Sequence, residues 1–305
     1  MPKNTLLLAL IQHPCTQDYQ DNLDRSFAGI RNAAAKGAKL ILLQELHTAH
    51  YFCQQEQAVY FDLAESIPGP TSEQLGHLAQ ELDIVIVASL FERRAAGLYH
   101  NTAVVLERDG SIAGRYRKMH IPDDPGYYEK FYFSPGDLGF TPIQTSVGKL
   151  GVLICWDQWF PEAARLMALA GAEILLYPTA IGWDTDDAHA EQQRQYHAWR
   201  TIQQAHAIAN GIPLAACNRC GIEQADDHRS QIQFWGGSFV AGPQGEILAE
   251  APTDNAHVLL VELDRSRSET VRRIWPYLRD RRIDAYADLS LRYRDAEDGE
   301  KTDAS

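Results

Sequence analysis

The sequence predicts an α/β protein in which two mixed sheets pack face to face with helices outside them. Three observations lead there. Short uncharged runs such as Leu40–Leu43 and residues 150–154 read as strands buried on both faces. Helical patterns lie between several of these runs, which gives βαβ units. Hairpin signals at Arg108-Asp109-Gly110 and Pro243-Gln244-Gly245 interrupt that rhythm, exclude a regular βα barrel and call for antiparallel strands in the same sheets.

In chain order, residues 5–11 form a strand. Residues 21–36 form an amphipathic helix with Leu23, Phe27, Ile30 and Ala34 on one face, closed by Gly37. The strand at 40–43 delivers Glu45 at its C-terminal end. Thr71-Ser72-Glu73-Gln74 has capping-box spacing and opens a helix to Leu82. Strands follow at 84–90, 101–107 and 111–116, and Lys118 comes just after the last of them. Residues 119–139 are rich in proline, glycine and aromatics without periodicity, and a loop that long inside a compact domain is usually functional. A hairpin over 140–145 and 149–154 ends at Cys155. A helix over 161–170, with Pro161 suited to its first turn, leads to a strand at 174–177. A long helix over 188–210 is closed by Gly211, and strands follow at 213–217, 238–241, 246–251 and 258–263. A basic helix covers 265–275. No linker splits the chain, so one domain extends to 294, and the acidic residues 295–305 are expected to be disordered.

Composition narrows the function. The 305 residues are 45% hydrophobic and 23% charged, as in a soluble globular protein. No stretch approaches the ~20 apolar residues of a membrane span. The N-terminal run reads as a buried strand and not as a signal peptide. Five cysteines, odd and sparse, point to a reducing cytosol. A formal charge of −13 argues against nucleic acid and suits a small cationic substrate.

Glu45, Lys118 and Cys155 share a topological role, each following an apolar strand at its C-terminal end, where open α/β sheets place ligands. A thiol attacks only as thiolate. Glu45 is suited to take its proton, and Lys118 with the Trp156 N–H is suited to stabilise an oxyanion. Each also has a plainer reading: an inert core cysteine, and solvated loop charges for the other two. Cys217-Asn218-Arg219-Cys220 has C-x-x-C spacing but no second pair, so two structural thiols are expected. His189, His197 and His206 share a helical pattern without an i, i+4 pair, and H-E-x-x-H is absent, which disfavours a metallohydrolase.

LILLQE at 40–45, GRYRKMH at 114–120 and GVLICWDQWFPE at 151–162 resemble the three signatures of the carbon–nitrogen hydrolase (nitrilase) superfamily. The resemblance covers residues 5–291. It implies a four-layer αββα sandwich, no metal or organic cofactor, and assembly into homo-oligomers through the helices flanking the nucleophile. It also implies Glu45 as base, Lys118 as oxyanion stabiliser, Cys155 as nucleophile, and Glu129 as a second glutamate that orients the lysine and the substrate. The loop at 118–137, YPTAIG at 177–182 and FWGGSF at 234–239 are similar to the branch of that family that hydrolyses N-carbamoylputrescine. That substrate has a ureido carbonyl at one end and a butylammonium at the other. Asp123 and Asp124 among Tyr127 and Tyr128 suit the cation by charge and cation–π contact, although two flanking prolines also make them a turn. With Trp156 and Thr179 these complete the expected substrate-binding set. Two alternatives stand beside this reading. A β-ureidopropionase or related enzyme would need Arg219 or Lys130 for a carboxylate tail. A non-catalytic interaction protein would have no need of all three of Glu45, Lys118 and Cys155.

Overall fold

The computed structural model describes residues 5–226 and 230–294. Its first half comprises β1 (Thr5–Gln12), α1 (Tyr19–Ala35), β2 (Leu40–Leu43), α2 (Pro70–Leu82), β3 (Val85–Ala95), β4 (Leu98–Leu106), β5 (Ile112–Arg117) and a short α3 (Glu129–Tyr132). There follow β6 (Ile143–Thr145), β7 (Gly148–Val152), α4 (Pro161–Leu169), β8 (Ile174–Thr179), β9 (Gly182–Asp184) and α5 (His189–Asn210). The last part holds β10 (Leu214–Asn218), β11 (Cys220–Gln224), β12 (Gln231–Trp235), β13 (Phe239–Ala241), β14 (Ile247–Glu250), β15 (His257–Asp264) and α6 (Ser266–Ile274). The acidic tail at 295–305 lies outside the described residues.

One six-stranded sheet runs β15-β1-β2-β3-β4-β5, the other β14-β13-β10-β8-β7-β6. In each, three parallel strands form the middle, and antiparallel strands are added at the flanks. Side chains alternate along β1. Leu8 and Leu10 enter the core between the sheets, while Ala9 and Ile11 enter the one under α1 and α2. Burying each such leucine contributes about 2 kcal/mol. The other sheet is covered by Met167 of α4 and by Trp199 and Ala207 of α5. Four layers result, the αββα sandwich that the resemblance implies.

Topology also fixes where the strands end. β4 is antiparallel to both β3 and β5, so β5 runs the same way as β2 and β3. Lys118 after β5 and Glu45 after β2 therefore leave the first sheet at one edge, and Cys155 follows β7 at the facing edge of the second.

Three features differ from the sequence reading. Helix α2 begins at Pro70 and is capped by Gly69, whose N–H donates to Ser72 Oγ at 2.9 Å. Thr71 instead gives its N–H to Glu65 at 2.9 Å. Proline at the first helical position moves the start forward. Strand β3 runs on to Ala95 through the charged Arg93 and Arg94, because cross-strand pairing with β4 outweighs the polar sequence. A third sheet, β11-β12-β9, has strands of five, five and three residues, too short to set up a readable alternation. It follows directly on the C-terminal ends of β8 and β10, beside the three converging side chains.

Candidate active site

Cys155 opens a turn of 3-10 helix over Cys155–Trp159 with φ of +42°, a left-handed conformation that a non-glycine residue keeps only when its surroundings enforce it. Asp157, fully buried, supplies the enforcement. Its Oδ2 accepts from the Ile154 N–H at 2.9 Å and the Tyr116 hydroxyl at 2.8 Å. Its Oδ1 accepts the His120 N–H at 3.1 Å and lies 2.6 Å from His120 Nδ1. The thiol points to the Ala180 carbonyl, 3.7 Å away. Burial, reinforced by the Glu45 carboxylate, pushes this thiol well above the ordinary cysteine value, and Lys118 opposes them. The resting side chain is thus a neutral thiol that needs a base to become a nucleophile.

The base side is equally dry. Lys118, Glu45 and Glu129 are all fully buried. Lys118 Nζ donates to Glu45 Oε1 at 2.8 Å and to Glu129 Oε2 at 2.6 Å. Burial alone would lower the lysine, but the Glu129 and Glu45 carboxylates outweigh it and hold the ammonium well above its usual range. Burial pushes the Glu129 carboxyl up to about 7, against the pull of Lys118. Two further residues fix this group. Asn101 Nδ2 donates to Glu45 Oε1 at 2.7 Å, itself held by Ser89 Oγ at 2.8 Å. The Tyr51 hydroxyl donates to Glu129 Oε1 at 2.7 Å. Glu45 Oε2 has no hydrogen-bond partner among the described residues, so one carboxylate oxygen has capacity to accept a proton.

A cavity of about 490 Å³ reaches this group, lined by Cys155, Trp156, Glu129 and Tyr127 at its inner end. Its outer part carries Asp124, Asp184, Asp187 and Glu191, with Arg194 as the one cationic side chain of the lining. Arg194 pairs with Glu191, and Gln195 donates to Asp187 at 2.9 Å.

The predicted residues therefore separate. Glu45, Lys118, Glu129 and Cys155 come together, and Trp156, Tyr127 and Asp124 line the cavity. Three others do not. Asp123 is exposed and lies 3.8 Å from Lys130; the turn runs over Asp124–Tyr127, where the Tyr127 N–H donates to the Asp124 carbonyl at 2.8 Å, and leaves Asp123 ahead of it. Tyr128 lines an adjoining polar cleft with Gln55 and Gln57. Thr179 is fully buried, and its hydroxyl accepts from Gln158 at 2.7 Å and donates to the Tyr177 carbonyl at 2.9 Å. Its own carbonyl accepts the Glu45 N–H at 3.2 Å, so it holds the Glu45 backbone in place. Arg219 is fully buried among backbone carbonyls and Glu223, and Lys130 is exposed. Neither lines the cavity.

Sequence reasoning missed Asn101, Tyr51, Asp187 and Glu191. The acidic run Asp184–Asp187 before α5 was a visible signal; Asn101 and Tyr51 acquire meaning only through contacts across the fold. All five cysteines are free. Among the described residues, no group of three or more His, Cys, Asp or Glu could hold a metal ion. No helix among them is long and apolar enough to cross a membrane.

A buried base, an ammonium and a thiol at the end of one cavity can carry out acyl transfer to sulfur followed by hydrolysis. Comparison with known proteins agrees with that chemistry. The model of the carbon–nitrogen hydrolase family matches residues 7–273. The chain is 46% identical over 288 residues to an N-carbamoylputrescine amidase of Solanum lycopersicum, covering 93% of this chain and 95% of that one. It is 42% identical over 287 residues to a citrullinase of Francisella tularensis subsp. tularensis, covering 94% and 98%. A crystal structure of a carbon–nitrogen hydrolase from Helicobacter pylori G27 superposes with a TM-score of 0.92 at 53% identity, over 95% of this chain and all of the other.

Proposed function

The chain belongs to the carbon–nitrogen hydrolase family, and from that premise we propose that it hydrolyses N-carbamoylputrescine to putrescine, carbon dioxide and ammonia. The observation that carries the substrate choice is the charge pattern of the cavity. Its inner end meets Cys155, and its outer part is lined by four carboxylates against a single guanidinium. A ureido group at the thiol would leave a butylammonium among those carboxylates, and the relatives named N-carbamoylputrescine amidase support that substrate.

In the proposed reaction Glu45 takes the thiol proton as Cys155 Sγ attacks the carbamoyl carbon. The carbonyl π electrons move to oxygen, where the Lys118 ammonium and the Trp156 N–H stabilise the oxyanion. Collapse breaks the carbon–nitrogen bond, and the proton on Glu45 goes to the leaving nitrogen. Glu45 then takes a proton from water, which attacks the sulfur-bound carbonyl; collapse breaks the carbon–sulfur bond, and Glu45 returns the proton to the departing Cys155 Sγ. The resulting carbamic acid loses carbon dioxide, so the products are the same whichever nitrogen leaves first. Glu129 keeps Lys118 charged and aligned.

A second reading is favoured by Arg194. Citrulline carries the same ureido group with both an ammonium and a carboxylate on its tail, and Arg194 could accept the latter, in line with the citrullinase relative. For N-carbamoyl-β-alanine, which offers a carboxylate without the ammonium, four acids oppose one arginine.

Residues 5–294 form one hydrolase domain in this account, working in the reducing cytosol as a homo-oligomer. Exposed Leu166 and Leu169 on α4, Ile208 on α5, and Trp275 and Ile283 beyond them support an interface on that face. The deciding experiment is ammonia release from N-carbamoylputrescine, citrulline and N-carbamoyl-β-alanine at equal concentration. The highest kcat/KM on the first is expected. Preference for citrulline moves the assignment to the second reading, and no release from any of them by folded protein contradicts the hydrolase reading.

A further inference from the structure

The C-x-x-C spacing at 217–220 has no part in the chemistry above, yet the two residues between the cysteines touch both sides of it. We propose that Asn218-Arg219 is a positioning clip that sets the base loop and the thiol-facing loop relative to each other. The inference rests on Glu45 and Cys155 as base and nucleophile.

Asn218 ends β10 and is fully buried. Its Oδ1 accepts the Ile181 N–H at 3.0 Å, and its Nδ2 donates to the Ile181 carbonyl at 2.9 Å and the Gly236 carbonyl at 3.0 Å. Ile181 is thus held on both sides of its backbone. It follows Ala180, whose carbonyl faces the Cys155 thiol, and it lines the cavity.

Arg219 turns the other way. Its Nη2 donates to the carbonyls of Glu45 at 2.8 Å and Leu46 at 3.0 Å, and its Nη1 to the carbonyl of Ala49 at 3.2 Å. Leu46 has φ of +46°, so the arginine fixes the loop at a point where the backbone is strained. Nη1 also donates to Glu223 Oε1 at 2.8 Å, and Glu223 Oε2 accepts the Tyr51 N–H at 2.6 Å. The guanidinium lies 5.7 Å from the Tyr51 ring centre and 5.2 Å from that of Phe234. The Tyr51 hydroxyl then reaches Glu129. One dipeptide therefore governs the backbone of Glu45, the entry to the second glutamate's partner, and the loop opposite the sulfur.

A planar fork is needed for this. Lysine keeps the charge but radiates its donors from one atom and cannot span three carbonyls and a carboxylate. A catalytic group misplaced by about 1 Å can cost about 100-fold in rate.

The test measures turnover of N-carbamoylputrescine together with the rate of Cys155 alkylation by iodoacetamide, in Arg219→Lys and in the isosteric Glu223→Gln. Thermal unfolding is followed alongside. The clip predicts kcat down by about 100-fold in Arg219→Lys, Cys155 alkylation slowed in parallel, and KM within about 3-fold of the parent. Glu223→Gln, which changes no volume, should move both readouts in the same direction by a smaller factor. A purely structural role lowers the melting temperature and leaves alkylation and kcat of the folded variants at parent values, and that result overturns the clip. The catalytic reading has its own control: turnover retained in Cys155→Ala overturns it and the clip together. Turnover lost in Cys155→Ala but untouched in both clip variants overturns the clip alone.

Discussion

The inner and outer ends of the cavity are built on opposite principles. Glu45, Lys118, Glu129 and Asp157 have no solvent exposure, and each makes two or more polar contacts to other residues. Asp124, Asp184 and Arg194 are exposed, and Asp187 and Glu191 are half-buried with one partner apiece. At the inner end charges act at low effective dielectric and are expensive to leave unpaired. At the outer end water screens them and single contacts are worth little. The proposed function thus assigns the chemistry to a rigid, dry group and the choice of substrate tail to a soft, wet one. Changes at the inner end should appear in kcat, changes at the outer end in KM.

Cys155→Ala is the most severe way to probe this contrast. In the proposed reaction it removes the attacking sulfur, and kcat should fall by about 10,000-fold or more, measured as ammonia release. The fold should survive, because the change removes one sulfur from a core otherwise intact.

Tyr51→Phe sharpens the contrast through pH. Glu129 must be ionised to pair with Lys118, and its carboxyl is pushed up to about 7, so kcat/KM should rise as pH rises through that value. The Tyr51 hydroxyl favours the ionised form. Without it the carboxyl holds its proton to higher pH, and the acid limb should move upward by about 1–2 pH units. A pH–rate profile of both proteins checks this, and an unmoved limb would separate Tyr51 from the chemistry.

Ionic strength acts on the outer end. Raising salt from about 0.01 M to about 0.15 M shortens the screening length severalfold. KM for the cationic substrate should rise a few-fold with kcat unchanged, as steady-state kinetics will show. The smallest effect belongs to Asp123→Asn. Asp123 lies outside the cavity and faces Lys130, so kcat and KM should change by less than about 2-fold. A larger loss would return Asp123 to the substrate site.

The same contrast explains what could be read from the sequence. The convergence of the proposed catalytic side chains was legible because strand ends mark them: an apolar run stops, and a charged or sulfur-bearing residue follows, as at Leu43–Glu45 and Val152–Cys155. The sandwich was legible because its central strands carry almost no polar residues. Asn101 looked like the first residue of an ordinary strand, and only the pairing of β3 with β4 brings it to Glu45. Thr179 was expected at the substrate through the resemblance of YPTAIG, but it is fully buried, with its hydroxyl beside Gln158. The outer end was legible only in part: Asp124 and Tyr127 line the cavity, and Asp123 and Tyr128 do not. Asp123 and Asp124 sit in the expected loop, but the direction of a turn residue depends on backbone angles that composition does not report. The carboxylates of Asp187 and Glu191 come from the segment between β9 and α5 and from the first turn of α5, alongside the third sheet.

The division between a chemical inner end and a selective outer end is tested most directly by one ratio. It is kcat/KM for N-carbamoylputrescine over that for N-carbamoyl-β-alanine, measured in the parent and in the double variant Asp187→Asn/Glu191→Gln. The account predicts that the ratio falls at least about tenfold through KM, consistent with the loss of two partly screened charge contacts, while kcat for N-carbamoylputrescine stays near that of the parent. A ratio that does not move, or a kcat that collapses with it, would contradict the account.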